Sequence, residues 1–96
     1  MQALKNSLTH FEIFHDGIAI KSGVHHFALG RRQGEELARM IATEVLENSL
    51  ANTSHENFDS LEIVEGEYFE RDDSFQFVIC VTYFSDESEL FTVNLK

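Results

Sequence analysis

The chain has 96 residues, no proline, one cysteine, nine phenylalanines and a formal net charge of -10, which describes a single domain over 1–96, because a second core needs roughly another 100 residues. A hydrophobic share of 43% with 11% aromatics excludes a disordered chain despite the charge. Seven Lys and Arg against seventeen acids exclude direct binding to nucleic acid or an anionic membrane, both of which need a basic patch.

In chain order, the first element is a β-hairpin over Thr9 to Ser22. Phe11, Ile13 and His15, then Ile18 and Ile20, alternate on either side of Asp16-Gly17, the dipeptide best suited to a type I′ turn. A two-residue loop predicts the pairs His15–Ile18, Phe14–Ala19, Ile13–Ile20 and Glu12–Lys21, with Phe11, Ile13, Ile18 and Ile20 on one face. Residues 23–30, bounded by glycines, read as the connection to a helix. From about Arg32 to Leu50, Gly34, Leu37, Ala38, Ile41 and Val45 share one third of the helical circle, with Ala42 and Leu46 on its shoulder. Glu35 precedes Arg39 by four residues, the favourable order for an ion pair. The Asn-, Ser- and Thr-rich stretch Asn48 to Asn57 ends the helix.

Three strands follow. Leu61 and Ile63 alternate with Glu62 and Val64 until Glu65-Gly66, where the break in pattern predicts a bulge at Gly66. Phe75 to Phe84 is apolar on both faces and reads as a central strand. Phe91, Val93 and Leu95 alternate with Leu90, Thr92 and Asn94 in the last one. The order ββαβββ predicts an α+β two-layer domain, an antiparallel five-stranded sheet with one long helix on one face. Pairing rules leave open whether the hairpin lies beside the third or the fifth strand.

One helix covers one side of a sheet. The other side, on this alternation, displays Phe14, Val64, Tyr68, Val78, Cys80, Phe84 and Leu90 among Glu12, Lys21, Gln76 and Thr92. We expect Phe14, Val64, Tyr68, Val78, Phe84 and Leu90 to form an interface, because a patch of that size exceeds what monomers usually leave bare. A second copy is the nearest cover, so a homodimer is expected; the competing reading is a lid formed by residues 1–8 or 23–30. Charge adds a direction. Residues 51–96 hold eleven acids against Arg71 and Lys96, so an electrostatic partner would be a basic protein. The plainer reading makes those acids a solvated surface.

No pattern of residues carries recognisable chemistry. His25, His26, Arg31 and Arg32 gather before the helix, where free N–H groups favour an anion; the loop lacks phosphate-loop glycine spacing, and pairing of the arginines with Glu35 or Glu36 is the competing account. The five histidines show no metal-ligand spacing, so no metal and no cofactor are expected. Cys80, in an apolar strand without charged neighbours, is expected to pack rather than react. Asp72-Asp73 and Asp86-Glu87 fall in turns at opposite ends of one strand, which keeps them from acting together as acid and base. No stretch approaches the roughly 20 apolar residues of a bilayer span, and the first eight residues lack a signal-peptide pattern, so the expected location is the cytoplasm. The function expected is a small acidic non-enzymatic interaction module. The alternatives are an acidic nucleic-acid mimic, for which Glu65 and Glu67 offer a short row on one strand, and a small-anion binder at the loop before the helix.

Overall fold

The hairpin forms where the turn chemistry requires it. Asp16 and Gly17 take φ of 54° and 78°, the paired left-handed conformation of a type I′ turn, joining β1 (Thr9–His15) to β2 (Ile18–His25). The computed structural model describes residues 8–26, 34–51 and 58–96. His15–Ile18 and Phe14–Ala19 pair as the loop length dictates, but Ile20 is then an extra residue, and Ile13 pairs with Lys21 and Glu12 with Ser22. The expected Glu12–Lys21 pair is therefore not formed. One inserted residue reverses the side taken by everything beyond it, which turns Lys21 to the side of Ile13. Phe11 and Ile13 are buried, whereas Ile18 and Ile20 are 67% and 47% exposed rather than part of the core. β2 also runs through residues 23–25, which the sequence assigned to a connection. Phe11 sits across from Gly23, where a Cβ would lie 2.9 Å from its ring.

Helix α1 spans Gly34–Ala51, close to the expected limits. Its buried positions, Ala38, Ile41, Ala42, Val45, Leu46, Ser49 and Leu50, recur at the three- and four-residue steps of one helical face. Ala42 and Leu46, read as the shoulder of that face, are fully buried. At the flank of that face Arg39 Nε donates to Glu35 Oε2 at 3.1 Å, as the spacing predicts. The Arg39 guanidinium lies 6.0 Å from the Phe77 ring centroid.

The remaining strands are β3 (Phe58–Phe69), β4 (Ser74–Tyr83) and β5 (Ser88–Leu95). All pairings are antiparallel, and the sheet order is β2-β1-β5-β4-β3. The hairpin thus lies beside the fifth strand, which occupies the middle of the sheet. β4, read as a central strand, is interior, between β5 and β3. Phe77, Ile79 and Val81 of β4, and Phe91, Val93 and Leu95 of β5, join Phe11, Ile13 and the helix face in one core, each large side chain contributing roughly 1.5–3 kcal/mol of burial.

The break in β3 falls at Val64, between the pairs Ile63–Ile79 and Glu65–Val78, rather than at Gly66. Gly66 instead pairs with Phe77, and a Cβ there would sit 2.9 Å from that ring. Its absent side chain makes room for a core phenylalanine. A second irregularity leaves Asp59 out of register between Phe58 and Ser60. No described helix is long and apolar enough to cross a membrane.

Candidate interaction surface

The side of the sheet away from α1 is built by alternation from the core positions. Phe14 of β1 neighbours Thr92 of β5, Thr92 neighbours Val78 of β4, and Val78 neighbours Glu65 of β3. In the next row Leu90 neighbours Cys80, and Cys80 neighbours Glu62. Phe14, Val78 and Cys80 are half-buried, and Leu90 is 56% exposed. Phe14, Val78, Cys80 and Leu90 thus surround the central Thr92, and the next row, Glu12, Asn94, Gln76 and Glu67, is polar.

Of the six expected interface positions, the structure brings Phe14, Val78 and Leu90 together on this face. Val64 is the extra residue of the β3 bulge, at the margin. Tyr68 is on the helix side, because the bulge reverses the parity of β3 beyond it: its ring packs on Phe75 with centroids 4.8 Å apart, and its hydroxyl donates to Asp73 Oδ1 at 2.7 Å. Phe84 lies beyond the end of β4, in the turn to β5, and is 72% exposed. Lys21, expected here, is on the helix side for the reason given above. Cys80 is half-buried on this open face.

The same bulge has an electrostatic result. Glu62, Glu65 and Glu67 pair with Cys80, Val78 and Gln76, alternate residues of β4, so all three carboxylates leave the same side of β3 at steps of about 7 Å. Simple alternation would have separated Glu62 from the other two. Glu12 adds a fourth acid from β1, where it pairs with Asn94. By continued alternation Lys96 and His10, whose backbones exchange hydrogen bonds, also belong to this face.

Two polar networks lie on the helix side. At one end of the sheet, His15 Nε2 is 2.8 Å from Glu89 Oε2, and the Tyr83 hydroxyl donates to Glu89 Oε1 at 2.6 Å. The His15 ring stacks on Phe91 with centroids 4.7 Å apart. Burial, followed by the hydrogen bond to Glu89 and its charge, raises the Tyr83 phenol far above its ordinary pKa. One carboxylate thereby ties β1 and β4 to β5, with each of its oxygens engaged. In the sequence His15 shows only as the last residue before the hairpin turn, and the parity Glu89 shares with Phe91 is the one signal of this network.

The second network involves the expected anion site. Arg31 and Arg32 lie outside the described residues. His25 Nε2 sits 3.0 Å from Glu44 Oε2, tying β2 to α1, and its side chain is 11% exposed. His25 and His26 line an open cleft of about 410 Å³ with Phe11, Lys21, Glu44 and Asn48. One partner of His25 is thus an acid of the chain itself, and the expected pairing of the arginines with Glu35 or Glu36 lies outside the described residues. Lys21 reaches the cleft through the Ile20 bulge. Among the described residues no three His, Cys, Asp or Glu converge as metal ligands. No family model, curated protein or solved structure matches the chain.

Proposed function

We propose that this protein is a non-enzymatic interaction module, cytoplasmic, that docks a protein partner on the open face of its sheet. The observation that supports the reading is the apolar cluster around Thr92 on that face: Phe14, Val78 and Cys80 half-buried and Leu90 56% exposed, with no described element lying across them. Full burial of an exposed leucine is worth roughly 1.5–3 kcal/mol, so Leu90 offers the largest gain on covering and the three half-buried side chains a fraction of it; clustered apolar surface of this kind usually marks a contact site. An unpaired cysteine on an accessible face suits a reducing compartment.

The test compares the parent chain with Phe14→Ser and Leu90→Ser, both on the open face and outside the core. Proteins captured by the parent and lost by both variants, at unchanged thermal stability, are the expected result. An identical set captured by all three ends the proposal. Cys80 provides a direct footprint: its labelling by a maleimide slows when the face is covered and is unaffected if binding occurs elsewhere.

A second reading is favoured by the Glu62, Glu65, Glu67 row, whose step resembles that between neighbouring phosphates on a nucleic-acid strand. In this reading the chain occupies the nucleic-acid site of a basic protein. Competition with DNA for such a protein, weakening steeply with salt, is the expected result; indifference to DNA excludes it.

A further inference from the structure

Resting on the open face as the docking surface, we infer that its occupant is a basic protein surface gripped along β3, rather than a second copy of this chain. Three features of the face select between those occupants. Its acids are concentrated at one margin, where Glu62, Glu65 and Glu67 form a row beside the apolar Cys80 and Val78. The opposite margin carries Ala19 and Ser22, which pair with Phe14 and Glu12. Among the described residues, four acids stand against Lys96 and His10.

The other described bases are committed elsewhere. Arg39 is held by Glu35 at 3.1 Å on the helix, Lys21 lines the cleft between β2 and α1, and Arg71 is in the turn between β3 and β4. Laid face to face, the described residues of two copies therefore bring four carboxylates each against Lys96 and His10, and like charges across a contact suppress association. A partner with an apolar centre flanked by lysines or arginines satisfies both halves of the face. Its apolar part covers Leu90, Val78 and Phe14. Its bases follow the carboxylate row at steps of about 7 Å, the spacing of alternate residues in an extended segment. Alternate side chains of an extended segment leave on opposite sides. The face therefore fits a strand or extended loop standing on edge beside β3, with bases at every second position turned to the carboxylates and the intervening apolar residues turned to Val78 and Leu90.

The experiment measures binding of a short capped peptide of alternating lysine and valine, with a valine–glutamate peptide as control, by fluorescence anisotropy at low and high salt. The parent is compared with Glu62→Gln/Glu65→Gln/Glu67→Gln, with Glu36→Gln/Glu47→Gln/Glu87→Gln, which removes the same charge away from the face, and with Leu90→Ser. The expected result is a loss of about tenfold or more for the face triple and for Leu90→Ser, a much smaller loss for the off-face triple, slower Cys80 labelling at saturation, and no binding of the acidic peptide. Equal losses for the two triples mean that net charge alone attracts the peptide, which overturns the inference; the docking reading then survives only if Leu90→Ser and the Cys80 footprint still respond. If neither responds, both fail. A light-scattering mass that doubles with concentration while Cys80 becomes protected makes the second copy the occupant and also overturns the inference.

Discussion

Gly66→Ala tests the packing that holds the acidic strand to the core. The added Cβ meets Phe77 Cδ1 and Cε1, both at 2.9 Å, well inside ordinary carbon contact. Phe77 has little room to retreat: it is fully buried, stacked on Phe75 at 5.9 Å between centroids, and roofed by Arg39. Overpacking of this kind costs about 1–3 kcal/mol, while alanine recovers roughly 0.4–1 kcal/mol by restricting the unfolded chain. The net expectation is a loss of about 1–2 kcal/mol, or roughly 4–15 °C in Tm for a domain of this size. Thermal and urea unfolding followed by circular dichroism measure it. The same substitution in a Phe77→Leu background should cost much less, because the smaller side chain yields the space. A variant as stable as the parent, or a cost unchanged by Phe77→Leu, refutes the claim that Gly66 is fixed by its cross-strand neighbour.

Tyr83 keeps its proton in the folded chain at pH values where the unfolded chain loses it, so its contribution to stability is complete below the ordinary phenol pKa of 10.0 and is lost as pH rises above that value. Tyr83→Phe should flatten the alkaline decline in urea midpoint, and equal declines in both proteins would refute the assignment. Leu46→Ala, at a fully buried helix position, should cost about 2–5 kcal/mol in chemical unfolding; a smaller loss would mean that the helix face packs loosely. A double-mutant cycle between Glu12 and Lys21 should return no coupling, because the Ile20 bulge separates them, whereas the exposed Glu35–Arg39 pair should return about 0.3–0.5 kcal/mol. A coupling for Glu12 and Lys21 as large as that of the helix pair would restore the register read from the sequence.

What the sequence conveyed and what it withheld divide at the bulges. Alternation placed Phe77, Ile79, Val81, Phe91, Val93 and Leu95 together, and the three- and four-residue steps of Ala38, Ile41 and Val45 placed the helix against them, because burial acts on every such residue in the same direction. The α+β order followed. A bulge leaves no comparable trace. Neither Ile20 nor Val64 is a turn residue, and inserting one residue costs little while exchanging the two faces of all that follows. This is why Lys21 and Tyr68 were assigned to the wrong side, and why the sequence offered only the pair Glu65 and Glu67 where the structure aligns Glu62 with them. Tertiary pairs such as His25–Glu44 and His15–Glu89 depend on which strands become neighbours, and local pattern does not determine that.

The irregular residues also govern how copies of the chain can meet in the plane of the sheet. β2 and β3 are its two borders, and both are interrupted, by Ile20 in one and by Asp59 and Val64 in the other. An uninterrupted backbone ladder with an incoming strand fails at such breaks, and the carboxylates of β3 repel a like neighbour. Border-to-border addition therefore meets a break on either flank, which works against fibril growth in a molecule that keeps apolar side chains on its broad side.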